Sequence, residues 1–262
     1  MSTVTQHAPG TFCWPELATS DAKAAQAFYG ALFGWTFRTS ETGMGPYHIA
    51  QLAGRDAGAL YELPPAMREQ GVPPHWGAYV SVTSADEAAR LAKANGGQVV
   101  MEPFDVMDLG RMAVLQDPQG ATFSVWEAKG SIGAGVLNEP GSLAWTQLNA
   151  RDTGKAKAFY PAVTGWTFRD DAVGSGGMTY TTWLRPGEAA GGMMMMPPAA
   201  PAEAPSAWLS YFGVTNVDET AAKAASLGAM IMVPPLDISP TLRFSVLADP
   251  QGAMFALMSG SM

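Results

Sequence analysis

One statement made twice constrains this chain more than any other feature of its sequence. The stretch AFYGALFGWTFR, from Ala27 to Arg38, returns as AFYPAVTGWTFR from Ala158, 131 positions later. The match runs on in both directions. Trp14, Leu17 and Asp21 recur as Trp145, Leu148 and Asp152, and the pair Ala57-Gly58 recurs as Ala190-Gly191. Trp76 and Tyr79 recur as Trp208 and Tyr211, and DPQGATF at Asp117 returns as DPQGAMF at Asp249. A repeat covering essentially all 262 residues means that one structural unit is built twice. The expected division is a first domain over 1–130, a linker over 131–141 and a second domain over 142–262. Gly, Ser and Pro in KGSIGAGVLNEPGS, from Lys129 to Ser142, suit a connecting segment.

Within each copy the apolar pattern alternates between strand and helix periods. Residues 12–18 read as extended. Asp21 is placed to cap a helix reaching about Phe33 on an apolar stripe of Ala24, Phe28, Ala31 and Leu32, and Gly34 to end it. Strand-like runs follow near 35–40, 46–53 and 57–62. The order then restarts with a strand at 76–83 and a helix to about Asn95 behind a Ser84/Glu87 capping box. Strands near 98–103, 111–116 and 121–127 complete the copy. Each copy is therefore βαβββ followed by βαβββ, an α+β arrangement.

With the AFY…GW segment, the Ala-Gly pair and the DPxG turn in both halves, the sequence resembles the vicinal oxygen chelate superfamily. This is the glyoxalase, bleomycin-resistance and extradiol-dioxygenase superfamily, here as a tandem two-domain member. The resemblance implies that two βαβββ modules in each copy form curved sheets around a cavity. It does not settle function, because this fold serves lyases, epimerases, dioxygenases, thiol transferases and proteins that only bind.

Metal-dependent members of the family place a His, Glu or Gln on each of several cavity-facing strands. Carried onto this sequence, the first position falls on Trp14 and Trp145, and indole has no lone pair to offer. The second falls near Glu62 and about Met195. The third falls on Gly77 and Leu209, the fourth on Ser124 and Ala256. The usual ligand set is missing from both halves, so no metal and no other cofactor is expected. An unorthodox centre from Glu16, Glu62, His48 and His75 is the remaining metal reading.

Strand alternation then lists what the cavities hold, with the family supplying which face looks inward. Glu16 shares a face with Trp14, and Gln147 shares one with Trp145. Tyr79 and Tyr211 face the cavities with the third ligand position. Trp126 lies beside Ser124, and Met254 and Met258 flank Ala256. Of the run GGMMMMPP, two methionines can enter the second cavity, and Met193 and Met195 are assigned there. An apolar wall with sparse polar groups suits a small hydrophobic or aromatic molecule. Glu16 beside Trp14 is expected to have a raised pKa and is the candidate acid or base, with Tyr79 as hydrogen-bond donor. Arg111 and Arg243, at equivalent places, read as ligand anchors or as turn and interface clamps.

The net charge of −8 argues against a nucleic-acid surface or a polybasic membrane patch. Cys13 is the sole cysteine, so no internal disulfide forms. No signal peptide and no membrane-length apolar run is visible, and a cytoplasmic protein is expected. Because family members with one such domain pair as dimers, the two fused copies are expected to satisfy that pairing internally as a monomer. Three functions remain open. One is a binding protein for sequestration, resistance or carriage. Another is a metal-independent lyase, cyclase or isomerase using Glu16. The third is a metal-dependent lyase or dioxygenase.

Overall fold

Each copy of the repeat folds as one eight-stranded sheet. In the computed structural model, residues 4–42, 45–173, 177–198 and 200–260 are described. The first half runs β1 (Phe12–Thr19), α1 (Ala22–Phe33), β2 (Thr36–Thr42), β3 (Gly45–Leu52), β4 (Arg55–Glu62), α2 (Pro65–Glu69), β5 (His75–Ser81), α3 (Ala85–Ala94), β6 (Gln98–Val106), β7 (Gly110–Gln116) and β8 (Thr122–Ala128). The second runs β9 (Leu143–Ala150), α4 (Thr153–Thr164), β10 (Thr167–Val173), β11 (Met178–Arg185), β12 (Glu188–Met195), β13 (Ala207–Gly213), α5 (Val217–Ser226), β14 (Met230–Ser239), β15 (Leu242–Ala248) and β16 (Met254–Ser259). Among the described residues no helix is long and apolar enough to cross a membrane.

The strand orders are β2-β3-β4-β1-β5-β8-β7-β6 and β10-β11-β12-β9-β13-β16-β15-β14. The first strand of each βαβββ module sits at the centre and pairs antiparallel with that of the other, β1 with β5 and β9 with β13. The capping residues do what their chemistry dictates. Asp21 accepts from Ala24 N–H, Ser84 from Glu87 N–H and Asn216 from Glu219 N–H, and Gly34 ends α1 at φ 75° in the left-handed region. The short α2, opened by Pro65 at its first turn, is the one helix the periodicity did not announce.

The helix-bearing faces of the two sheets pack against each other, and module one of each half meets module two of the other. One core joins Leu17, Phe28, Tyr29 and Trp76 of the first half to Phe212, Ala221 and Phe255 of the second. A second core joins Phe12, Ala89 and Phe123 to Phe159, Tyr160, Trp166 and Trp208. Inside these cores the repeated motifs find their partners in the other copy. The Tyr29 hydroxyl accepts from Trp76 Nε1–H at 3.0 Å and donates to Asp249 Oδ2 at 2.9 Å. Tyr160 accepts from Trp208 Nε1–H at 3.0 Å and donates to Asp117 Oδ2 at 3.1 Å. The other oxygen of each aspartate takes two N–H groups of its own DPQG turn. Tyrosine of AFY and aspartate of DPQG thus form a buried latch between halves, made twice. Trp208 stands in this interface.

The segment over 131–141 is not a loose tether. Val136 is fully buried in the shared core. Trp35 Nε1–H donates to the Gly141 carbonyl at 2.7 Å, as Trp166 Nε1–H does to Gly10 at 2.9 Å. Arg55 makes a two-pronged pair with Glu139. Arg111 and Arg243 are clamps: each grips an acid in the first turn of its own module's helix, Asp86 and Asp218, at 2.7 and 2.9 Å. Their carboxylate partners are mostly exposed, so these pairs orient elements more than they stabilise them.

Candidate functional site

The faces turned away from the helices carry the candidate chemistry. In the first half β1 presents Trp14 and Glu16. Register places Trp14 opposite Tyr79, Glu16 beside Ala59, Tyr47 opposite Tyr61 and Tyr79 beside Ser124. Met112 and Trp126 complete this face. The Glu16 carboxyl is held at both oxygens. Tyr47 donates to Oε2 at 2.5 Å and Tyr79 to Oε1 at 2.8 Å, while Trp14 Nε1–H donates to the Tyr47 hydroxyl at 2.9 Å. The Tyr61 ring stacks on Tyr47 with centroids 6.5 Å apart. Trp14, Glu16, Tyr47 and Tyr61 are half-buried, while Tyr79 and Trp126 are buried.

Burial raises the pKa of Glu16, and the two phenol donors offset this only in part. Burial and the adjacent Glu16 carboxyl push the Tyr47 and Tyr79 phenols well above their ordinary range. Both therefore stay protonated donors at physiological pH. Burial pushes the Cys13 thiol up to about 12, so it is not a nucleophile.

The structure brings together Trp14, Glu16, Tyr79, Ser124 and Trp126, and leaves Glu62 out. Leu17 is packed in the interface core and pairs with Leu60, which puts Leu60 and Glu62 on the helix side of β4. Glu62 is exposed there and pairs with Arg68. Met193 and Met195 are displaced for the same reason. Met193 pairs with Leu148 and is fully buried between the halves, whereas Met195 is exposed at the strand end. A one-residue slip of register turns every side chain of a strand over. The residues actually facing the chambers are Tyr61 and Met194. Tyr47, Tyr61 and Met112 were missed, although their period-two spacing in β3, β4 and β7 was there to be read.

These residues do not fit a divalent metal. Both oxygens of the Glu16 carboxylate already accept from phenols. Gly77 offers no side chain and Trp14 no lone pair. His48 is bound to Thr39 and His75 to the Pro73 carbonyl. Among the described residues no three His, Cys, Asp or Glu side chains converge on a point.

The second chamber keeps the outline without the acid. Trp145 Nε1–H donates to Tyr180 at 2.8 Å, as Trp14 does to Tyr47. Gln147 turns to Asn149, with Nε2 donating to Oδ1 at 3.0 Å. Tyr211, Ala256 and Met258 form a buried cluster with Phe244 and Trp145, and Met254 lies half exposed at its edge. Where the first half has Ala59 the second has Gly192, and the Tyr180 hydroxyl lies against its α-carbon. A methyl group there would collide with that hydroxyl and stand 2.9 Å from Trp145 Nε1. Gly192→Ala is therefore expected to expel Tyr180, break its bond to Trp145 and cost about 1–3 kcal/mol in urea unfolding. An unchanged midpoint would show that Tyr180 does not fill this chamber.

One end of the second chamber opens into a groove of about 500 Å³ lined by Leu143, Ala144, Trp145, Ala189, Val214 and Met258. The corresponding end of the first chamber is covered by the interdomain segment, whose Ser131 carbonyl accepts from Trp126 Nε1–H at 2.9 Å.

Sheets of this topology define an α+β protein of paired βαβββ modules, and comparison with known proteins gives the family. Residues 11–125 and 142–257 each match the Glyoxalase/Bleomycin resistance protein/Dioxygenase superfamily, and the chain belongs to it. It is 39% identical over 255 residues to a Mycobacterium tuberculosis protein named "Putative glyoxylase CFP32", covering 97% of this chain and 96% of that one. It is 34% identical over 266 residues to the "Anthracycline biosynthesis protein DnrV" of Streptomyces peucetius, covering 97% and 95%. Among solved structures, the Mn(II)-bound glyoxalase from Novosphingobium aromaticivorans superposes with a TM-score of 0.66 at 16% identity, covering 96% of this chain and 82% of that one. At that identity the likeness concerns the fold.

Proposed function

We propose that the first chamber binds a flat aromatic small molecule bearing a carbonyl or hydroxyl group, without a metal, and that the protein sequesters or carries it. The observation that carries this reading is the Glu16 carboxyl, gripped by two phenols and ringed by Trp14, Tyr47 and Tyr61. Rings supply stacking area and the acid supplies one orienting hydrogen bond, the division of labour of a small-molecule site. A relative named for anthracycline biosynthesis supports a polycyclic aromatic ligand. The buried latches between the halves support a monomer that needs no second copy to cover its helix faces.

A second reading is favoured by the pKa of Glu16, raised by burial on a half-buried residue. In a metal-independent lyase, cyclase or isomerase, Glu16 takes a proton from the ligand while the Tyr79 hydroxyl turns its one proton from Glu16 Oε1 to the ligand's carbonyl oxygen.

Titration with a hydroxyanthraquinone, read by tryptophan quenching, tests both. Trp14→Ala is expected to weaken binding about tenfold or more, from the loss of one aromatic face. The protonated carboxyl donates to a ligand carbonyl, so affinity is expected to fall as pH rises through the elevated Glu16 pKa. Glu16→Gln, which donates at every pH, should bind within a few-fold of the parent with that dependence removed. If the protein is instead an enzyme using this acid, Glu16→Gln abolishes turnover and still binds. Unchanged affinity in Trp14→Ala would refute the site. Turnover that is lost on chelation and restored by a divalent ion would refute the metal-free reading.

A further inference from the structure

The two halves place the same tyrosine at the same point of the sheet and use it differently. Tyr47 of β3 stands opposite Tyr61, and Tyr180 of β11 stands opposite Met194. Two residues further on, Ile49 and Thr182 stand opposite Ala59 and Gly192. Those two are in turn the neighbours of Glu16 and Gln147 on the central strands. Each tyrosine accepts the indole N–H of its own half's tryptophan, Trp14 at 2.9 Å and Trp145 at 2.8 Å. Strands, tryptophan and tyrosine therefore coincide. Beside the acid or amide, the backbone differs by one methyl group.

In the second half the Tyr180 hydroxyl rests against Gly192. A β-carbon built there would stand 2.5 Å from Tyr180 Cζ and closer still to its oxygen. In the first half that space is taken by the Ala59 methyl, on a residue 1% exposed. A methyl and a phenol cannot share it, because nonbonded heavy atoms settle about 3.5 Å apart. Tyr47 therefore stands farther out from β4, and its hydroxyl donates to Glu16 Oε2 at 2.5 Å. Gln147 donates instead to Asn149, whose place in the first half is held by Ala18.

We infer that Ala59 is the positioning residue of the Glu16 site: its methyl group keeps the Tyr47 hydroxyl off the β4 backbone and on the carboxylate. Gly192 lets the equivalent tyrosine settle on the sheet, so the second half gives up the clamp. With the clamp goes the group that would orient a ligand carbonyl or hydroxyl. That consequence rests on the reading of the first chamber as a binding site, whereas the placement of Tyr47 does not.

Carbon-13 NMR of the glutamate carboxyls in the ligand-free protein tests the placement. The titratable side chains that bear on Glu16 are the phenols of Tyr47, Tyr61 and Tyr79, all pushed up by burial and neutral while Glu16 titrates. A hydrogen bond to the carboxylate favours its charged form, so losing the Tyr47 bond raises the Glu16 midpoint. Ala59→Gly is expected to shift that midpoint upward by as much as Tyr47→Phe does. The second half supplies the converse. In Gln147→Glu alone Tyr180 stays on Gly192, and adding Gly192→Ala frees its hydroxyl to donate and lowers the midpoint of the introduced carboxyl. An unmoved Glu16 midpoint in Ala59→Gly, or equal midpoints in the two second-half variants, would overturn the proposal. Hydroxyanthraquinone titration reads the consequence separately, and Ala59→Gly should bind about tenfold more weakly than the parent. Equal affinity would overturn that consequence. A parent that binds none would refute the chamber reading and leave the role of Ala59 standing on the NMR result.

Discussion

Asp249→Ala is expected to lower the unfolding free energy by about 3–5 kcal/mol in urea titration, and Asp249→Asn by only about 1. Asp249 is 4% exposed and serves three donors at once. Its Oδ1 accepts from Gln251 and Ala253 N–H at 2.9 Å each, and its Oδ2 from the Tyr29 hydroxyl at 2.9 Å. Alanine leaves all three buried donors unpaired, and such a loss costs far more than a made bond contributes. Asparagine keeps the oxygen that closes the turn and disturbs only the contact with Tyr29. Asp117→Ala should behave alike, because Asp117 serves Gln119, Ala121 and Tyr160 in the same way. Tyr29→Phe removes the link between halves and leaves the turn intact, so it isolates the latch. A cost for Asp249→Ala below about 1 kcal/mol would mean that water reaches these groups.

The second large effect is expected at Trp166. Its ring, 2% exposed, lies 5.8 Å from Trp183, 6.0 Å from Tyr160 and 5.4 Å from Phe12 of the first half, centroid to centroid. Its Nε1–H holds the Gly10 carbonyl, which anchors the strand entering β1. Trp166→Ala removes that bond and opens a cavity among rings that cannot close on it, a change that costs about 3–5 kcal/mol. The core it leaves is shared by both halves, so the loss should not stay in one of them. Circular dichroism and tryptophan fluorescence should report one common transition at lower denaturant. Two separate transitions, with the first half surviving, would show that the halves fold independently.

Much of this was legible along the chain, and where legibility stopped is informative. Asp21, Gly34 and Ser84 announced helix ends because a cap is a contact between residues three or four apart. The strands β1, β5 and β8 announced a shared face because alternation is built into the pleat. That fixed Trp14, Glu16, Tyr79, Ser124 and Trp126 relative to one another. Glu62, Met193 and Met195 went to the other face because alternation says which residues share a side and not which side it is. That choice was made by Leu60 and Met193, drawn into the core between the halves by Leu17 and Leu148.

The sequence by itself determined that one α+β unit occurs twice, that Trp14 and Trp145 hold equivalent places in it, and that the two copies differ at Glu16 and Gln147. Each is a property of residue type at a given spacing, and spacing is covalent. Only the tertiary structure decided that Tyr47 and Tyr79 grip Glu16, and that each AFY tyrosine belongs to the other copy's DPQG aspartate. It also decided that the interdomain segment packs against β1 of the first half, with Ala134 N–H on the Cys13 carbonyl. Those contacts join residues from 31 to 220 positions apart. No local period encodes them; they exist because two amphipathic sheets bury their apolar faces most completely against each other.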